Sequence, residues 1–234
     1  AEAQPRRNPE ELDPAESQRL IGQLADWKPP MLILTGGDPL MRRDAIDLVR
    51  NASEAGLHVG LSPSATPRLL RTDFAQLKEA GVQRMSLSLD GATRETHDAF
   101  RGVPGTYDRT IEAVRRAHAA GLSLQINTTL TRGNVEEYES FKRLMFVLKP
   151  AMWSVFLLVP TGRAGLESLP DAAEIERIFE GMAGLVGNAP FAVKTTEGHH
   201  FRRVLIQQRG GGASRSRPGL SSPPGIRDGR GVMF

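Results

Sequence analysis

The chain has 234 residues, of which 39% are apolar, enough to bury the core of one large α/β domain. It contains no cysteine, so the sequence as printed forms no disulfide and offers no thiolate to a metal ion. Its formal charge of +3 arises at the C-terminal end, because residues 201–234 hold seven arginines against Asp228 and residues 1–200 then carry −3. We therefore expect no nucleic-acid partner. The lack of a signal peptide or a long apolar run predicts a cytoplasmic protein without membrane contact.

The first predicted element is a helix that begins at Asp13. Residues 1–11 are rich in proline, arginine and glutamate, which predicts a loop. Asp13-Pro14-Ala15-Glu16 then supplies an N-cap, a proline at the first helical position and the glutamate of a capping box. An apolar stripe at helical spacing follows before Pro29-Pro30 ends the helix. No strand is predicted before this helix, which indicates that the chain begins inside a repeat.

The next element is a strand over 31–34 that leads directly into a glycine turn. Four consecutive apolar residues predict a strand buried on both faces. Gly36-Gly37-Asp38-Pro39 ends it, and a helix is predicted from Asp44. The acidic residue then lies at the carboxyl end of a strand, where α/β folds bind ligands. Adjacent glycines also allow the backbone to approach a small polar group.

A repeated joint predicts the rest of the fold. Gly56, Gly81 and Gly121 each follow a helical segment and precede a strand-like one, as expected of a left-handed C′ residue. Serial βα units follow from these joints. The further strands are predicted over 57–63, 82–90, 123–131, 154–160 and 191–195, with a short helix over 199–208. Six parallel strands can close into a full or partial barrel, or open into a doubly wound sheet.

Polar residues at the strand ends favour the barrel. They recur after five strands, at Thr35 to Asp38, Ser62 to Ser64, Ser86 to Gly91, Asn127 to Thr129 and Val159 to Arg163. Convergence of many strand ends on one mouth is typical of a barrel, whereas a doubly wound sheet concentrates its site at one crevice. The predicted fold is therefore α/β, a partial (β/α)6 TIM-like barrel with its first strand missing. Its interior would be filled by Leu87, Leu89, Ile126, Phe156 and Leu158.

With these motifs assembled, the chain resembles the radical S-adenosylmethionine (SAM) enzymes, in the branch that carries a C-terminal SPASM-type domain. The resemblance runs from about Asp13 to Arg163. Its more specific part is Ser88-Leu89-Asp90-Gly91, followed by His97-Asp98, Arg101-Gly102 and Gly105-Thr106-Tyr107. Gly36-Gly37-Asp38-Pro39 matches the family's Gly-Gly-Glu-Pro turn, with Asp38 one methylene shorter than the commoner glutamate.

The resemblance implies a SAM site and a role for each residue in it. Asp38 and the glycine turn would hold the SAM amino group, Ser88 the ribose or methionyl portion, and Arg101 the carboxylate. The implied SAM-binding set is Gly36, Gly37, Asp38, Pro39, Ser88, Asp90, Arg101, Asn127, Thr129, Leu158 and Val159. Acceptors for an ammonium and a donor fork for a carboxylate agree with SAM chemistry.

Other interpretations of the charged residues remain open at this stage. Arg101 could instead form a salt bridge with Asp98 or Asp90. His97 is interpreted as a loop hydrogen-bonding group rather than a catalyst. His199 and His200 lack a third ligand at metal spacing, so no metal site is assigned to them.

The resemblance also implies chemistry that this chain cannot support alone. Relatives hold a [4Fe-4S] cluster on a Cys-x-x-x-Cys-x-x-Cys loop and take an electron from a donor. They use a 5′-deoxyadenosyl radical to modify peptides, sulfatase residues or tetrapyrroles. The loop is absent here. We therefore interpret the chain as an internal fragment of such an enzyme, itself inactive in SAM cleavage.

The domain boundaries and two competing functions complete the prediction. Residues 1–209 would form the barrel, 210–224 a mobile linker, and 225–234 the start of a truncated SPASM-type domain. One alternative is a cofactor-independent barrel lyase or aldolase using Asp38, Asp90 and Lys194. The other is a non-catalytic barrel that binds a metabolite or peptide.

Overall fold

A computed structural model describes residues 10–160 and 165–210, with side chains up to residue 208. The predicted SPASM-type segment and nearly all of the predicted loop and linker lie outside this part of the chain, as do Thr161 to Arg163. Gly210, the first residue of that linker, is the last residue of a helix. The helices, in chain order, are α1 Pro14–Trp27, α2 Ala45–Glu54, α3 Pro67–Arg71, α4 Phe74–Glu79, α5 Arg94–Arg101, α6 Thr106–Ala119, α7 Tyr138–Leu148, α8 Ala172–Leu185 and α9 Phe201–Gly210.

Six strands form one sheet in the described part of the chain, and they follow one another in sequence order. They are β1 Leu32–Leu34, β2 Val59–Leu61, β3 Val82–Ser88, β4 Ser123–Leu130, β5 Met152–Leu157 and β6 Ala192–Thr196. The strands are parallel, and the first pair has Leu32 opposite Val59. A sequential parallel order with helical crossovers confirms the α/β prediction and is the strand order of a partial TIM-like barrel.

Two compact units can be distinguished by their internal contacts. One contains residues 10–88 and 108–125, and its fully buried side chains include Val49, Leu61, Leu69 and Leu77. The other contains residues 89–107, 126–160 and 165–210, with a core that includes Leu89, Ile126, Phe141, Trp153 and Phe179. Each unit therefore has its own apolar core.

The helix start at Asp13 and the three glycine joints are confirmed. The Asp13 carboxylate accepts a hydrogen bond from Glu16 N at 2.7 Å, and Glu16 accepts one from Asp13 N at 2.9 Å. Gly56, Gly81 and Gly121 have φ values of +84°, +110° and +67°. Left-handed backbone of this kind favours glycine, and it ends each helix just before a strand.

Strand β1 is not buried on both faces, contrary to the prediction. Ile33 is 53% exposed, and Leu32 and Leu34 are half-buried. In the described sheet β1 is the end strand and pairs with β2 alone, so one side of it lacks a strand neighbour. The apolar stripe of α1 is also only partly buried, because Leu20 is 41% and Trp27 57% exposed. An apolar run alone does not distinguish a central strand from an end strand.

Of the helices in the described ranges, none combines the length and apolar character needed to cross a membrane.

Candidate functional site

The glycine turn after β1 is held by residues that follow β2. Gly36 has a φ of +124°. Asp38 caps the short 3-10 turn Pro39–Met41, since its carboxylate accepts a hydrogen bond from Leu40 N at 3.1 Å. The Thr66 hydroxyl donates to the other Asp38 oxygen at 3.3 Å, and Ser64 donates to the Gly37 carbonyl at 3.2 Å. The turn is thus fixed in place while its half-buried carboxylate can still accept further hydrogen bonds.

A buried carboxylate, Asp90, lies just beyond the end of β3. It is 1% exposed, and one of its oxygens accepts a hydrogen bond from Thr129 N at 2.7 Å. Its other oxygen forms an ion pair with Arg101 from the last turn of α5. Burial raises the pKa of the Asp90 carboxyl, while the Arg101 guanidinium and the Thr129 N–H oppose that rise.

The salt bridge considered for Arg101 is therefore present, and its partner is Asp90. The Arg101 side chain is nevertheless 35% exposed. The other partner considered, Asp98, accepts hydrogen bonds from Tyr107 N at 2.8 Å and Gly105 N at 2.5 Å. These backbone bonds hold the pKa of the Asp98 carboxyl below its usual range. Asp98 thus anchors the segment between α5 and α6.

Gly91 is required by the close approach of α5. A Cβ atom added there would lie 2.1 Å from His97 N and 2.6 Å from His97 Cα, which are backbone atoms. The His97 side chain returns to the same strand end, where its Nδ1 accepts a hydrogen bond from Asp90 N at 3.0 Å. This contact agrees with the interpretation of His97 as a hydrogen-bonding group.

His97 also gives a prediction for the pH dependence of stability. Burial and the nearby Arg101 charge lower the pKa of His97 to about 4 in the folded chain. An unfolded histidine has a pKa of about 6.5, so below that pH the unfolded state binds more protons. Neutral His97 therefore contributes about 3 kcal/mol to the free energy of unfolding. This contribution is fully present above pH 6.5 and is lost as the pH falls toward 4.

Urea unfolding at pH 7 and pH 4.5 measures this effect. His97→Gln, which keeps a hydrogen-bond acceptor but does not titrate, should lose much less unfolding free energy between the two pH values than the unchanged chain. Equal losses in both proteins would show that His97 is not responsible.

The polar end of β4 divides between two faces. Thr128 is buried, donates to the Leu89 carbonyl at 2.9 Å and accepts from the Trp153 indole at 3.0 Å. Asn127 and Thr129 alternate with it and are half-buried. The backbone at Asn127 contacts the residue that follows β3, because Leu89 N donates to the Asn127 carbonyl at 2.8 Å. Their side chains lie on the opposite side of the strand from Thr128.

The remaining predicted residues lie at or beyond strand ends. Ser88 is the last residue of β3 and is half-buried. Leu158 and Val159 follow the end of β5 at Leu157, a shorter strand than predicted, and Val159 is 47% exposed. Within the second unit the structure brings together Asp90, Arg101 and Thr129. The SAM-binding role of the whole set stays a prediction.

Two residues that the sequence analysis missed hold this strand end from the next loop. Asn134 is 2% exposed, and its Nδ2 donates to the Asp90 carbonyl at 2.9 Å and the Thr129 carbonyl at 2.8 Å. Glu137 accepts hydrogen bonds from Ala92 N at 2.6 Å and from the Thr96 hydroxyl. In the sequence, Asn134 follows a glycine as in many turns, and Glu137 is one of two adjacent acids, so neither stood out.

The residues present do not fit a [4Fe-4S] cluster. The sequence has no cysteine, and the described ranges contain no group of three or more His, Asp or Glu side chains placed to hold a metal ion. The His200 ring packs against Phe179 with centroids 4.7 Å apart. Lys194, needed by the lyase alternative, is exposed on β6.

Comparison with known proteins identifies related sequences and folds. The sequence model of the Radical SAM superfamily matches residues 2–145. The chain is 38% identical over 210 residues to the AdoMet-dependent heme synthase of Oleidesulfovibrio alaskensis, which covers 89% of this chain and 54% of that protein. It is 38% identical over 199 residues to the enzyme of the same name from Methanosarcina barkeri, covering 85% and 56% respectively. The chain thus spans little more than half the length of these relatives.

Among solved structures, Streptococcus suis SuiB has a similar fold. SuiB bound to S-adenosylmethionine aligns with a TM-score of 0.67 at 19% identity, over 86% of this chain and 47% of that one. SuiB bound to its precursor peptide SuiA aligns with a TM-score of 0.68, over 87% and 46%. At this identity the likeness shows the fold alone, and that fold agrees with the predicted partial barrel.

Proposed function

Because this chain belongs to the radical SAM superfamily, we propose that it is the SAM-binding part of an enzyme that modifies a tetrapyrrole. The observation that carries the SAM-binding part of the proposal is the environment of Arg101. Its guanidinium is fixed by a fully buried carboxylate, Asp90, yet a third of the side chain is exposed. An anchored guanidinium on a side chain that is not fully buried is suited to bind a ligand carboxylate through two parallel hydrogen bonds.

The other residues are assigned roles that agree with SAM chemistry. The Asp38 carboxylate and the Gly36 and Gly37 backbone would accept hydrogen bonds from the SAM ammonium. Ser88 would contact the ribose or methionyl portion. The backbone at Leu158 and Val159 would lie beside the adenine, with Pro39, Asp90, Asn127 and Thr129 completing the set.

The radical chemistry belongs to the cofactor. Radical chemistry would require a reduced [4Fe-4S] cluster in addition to the SAM that the residues named above would hold. This chain contains no cysteine, so its own residues do not hold the cluster, and we propose that an electron donor and the thiolate ligands lie outside it. What these residues would contribute is the binding and orientation of SAM.

The relatives favour a tetrapyrrole over a peptide as substrate. Proteins that match 85–89% of this chain carry the name heme synthase. The peptide alternative is supported by the likeness to SuiB, which is a likeness of fold. We propose a cytoplasmic setting for this enzyme.

SAM binding by the chain tests the proposal. Equilibrium dialysis with radiolabelled SAM should show saturable binding. After anaerobic treatment with iron, sulfide and dithionite, the chain should contain no stoichiometric iron and produce no 5′-deoxyadenosine, because it lacks cluster ligands.

The comparison ligand is 5′-methylthioadenosine, which lacks the amino and carboxylate groups and should bind more weakly than SAM. Equal binding of the two would remove the role proposed for Arg101. Absence of any SAM binding would favour the lyase or the non-catalytic alternative.

A further inference from the structure

We infer that Asn134 and Glu137 are positioning residues for Arg101, an inference that rests on the proposed function. We call the pair the clamp. It holds the arm, which is the stretch 90–101 between the buried carboxylate and the arginine that pairs with it. The clamp itself would not touch SAM.

Asn134 fixes the start of the arm. Its amide Nδ2 joins two strand ends, since it donates to the carbonyls of Asp90 and Thr129. Its Oδ1 accepts a hydrogen bond from Thr131 N at 2.8 Å, which closes its own loop. Asn134 is almost fully buried, so these bonds are shielded from water and cost more to lose than exposed ones.

Glu137 fixes the next part of the arm. One carboxylate oxygen accepts from Ala92 N, just before α5, and the other accepts from the Thr96 hydroxyl in the first turn of that helix. A bidentate carboxylate therefore connects the strand end to the helix. Its negative charge at the helix N-terminus is also favourable for the helix dipole.

The position of α5 depends strongly on such polar contacts. Of its eight residues, all of them described, His97 alone is buried. A helix with so little apolar contact is not fixed by core packing. Arg101 lies in its last turn, five residues after Thr96, so a shift at the start of the helix is transmitted to the guanidinium.

If the clamp only stabilised the fold, its loss would not change the affinity for SAM relative to 5′-methylthioadenosine. If the clamp positions Arg101, its loss should change that ratio. The carboxylate of SAM is the group that Arg101 would bind, and 5′-methylthioadenosine lacks it. Loosening the arm should therefore weaken binding of SAM and spare binding of the shorter ligand. This difference separates the two roles.

The experiment uses the 234-residue chain with Glu137→Ala, Glu137→Gln and the control Glu136→Ala. Glu136 is exposed and contacts Arg177 instead of the arm. We expect Glu137→Ala to raise the Kd for SAM about tenfold, the size of effect expected when a charge-assisted hydrogen bond is lost. Its Kd for 5′-methylthioadenosine should stay within about twofold.

Glu137→Gln should restore SAM affinity, because glutamine can accept from Ala92 N and donate to the Thr96 hydroxyl. Asn134→Asp, which replaces the donor by a carboxylate facing two carbonyls, provides a second test. Like Glu137→Ala, it should weaken the binding of SAM and spare that of 5′-methylthioadenosine. Thermal melts identify any variant that does not fold, and the conclusion then rests on the folded ones.

Equal loss of affinity for both ligands in Glu137→Ala, or unchanged SAM affinity, would overturn the inference. Failure of the unchanged chain to bind SAM would instead overturn the proposed function, so the two failures are distinguishable.

Discussion

Gly91→Ala is expected to destabilise the chain by about 3 kcal/mol, at the upper end of the cost of overpacking, because the new methyl group meets backbone rather than side-chain atoms. The added Cβ would lie 2.1 Å from His97 N. Relief requires that α5 move away from the strand end, which breaks the hydrogen bond between Asp90 N and His97. It would also disturb the ion pair between Asp90 and Arg101.

The matched control is Gly184→Ala in the same unit. Gly184 lies in α8, is exposed, and has no atom within 4 Å of an added Cβ. Alanine is the better helix former there, so stability should rise by up to about 1 kcal/mol. Urea unfolding followed by circular dichroism measures both changes. If the two variants differ by less than about 1 kcal/mol, the close approach of α5 to Gly91 is not a determinant of this fold.

The three helix-to-strand joints were predicted correctly because each depends on a local requirement. Gly56, Gly81 and Gly121 each have the left-handed φ expected of a helix end followed by a strand. That requirement is local, since it depends on the glycine and its immediate neighbours. The Asp13 capping box is local in the same sense.

The errors and omissions concern properties that the local sequence does not contain. The apolar run at β1 gave no sign that Ile33 would be half exposed, because exposure depends on which strands lie beside it. Asn134 and Glu137 act on residues 41 to 45 positions earlier, at Ala92, Thr96 and Asp90. Periodicity and motif spacing do not detect contacts over such separations.

The candidate site was predicted only in part from the sequence. The spacing of Asp90, His97, Asp98 and Arg101 identified the group through a family resemblance. The structure shows that His97 and Arg101 contact Asp90, whereas Asp98 anchors the segment between α5 and α6. Much of the motif therefore maintains the local fold. The ligand-binding role of Arg101 has to be separated from that structural role by experiment.

Arg101→Ala is expected to lower both stability and SAM affinity, and a second substitution should separate the two effects. Removing the guanidinium leaves Asp90 as a buried carboxylate without its cationic partner. Breaking a buried ion pair in this way costs about 3–5 kcal/mol. Because Arg101 is one-third exposed and its charge is partly screened, we expect about 2–3 kcal/mol.

Asp90→Asn combined with Arg101→Ala should recover most of that stability. The amide carries no charge, and its oxygen can still accept the hydrogen bond from Thr129 N. SAM affinity should not recover, since the cationic donor is still missing, and the loss should remain at about 1.5–3 kcal/mol. Binding of 5′-methylthioadenosine should be nearly normal in the double variant.

Urea unfolding and equilibrium dialysis on the same preparations test this separation. Asp90→Asn alone is the control, since Asp90 belongs to the proposed SAM-binding set. If that variant binds SAM normally, recovery of stability in the double variant without recovery of SAM binding assigns Arg101 a ligand-binding role in addition to its structural one. Recovery of both would assign it a structural role only, because the chain would then bind the SAM carboxylate equally well without the guanidinium.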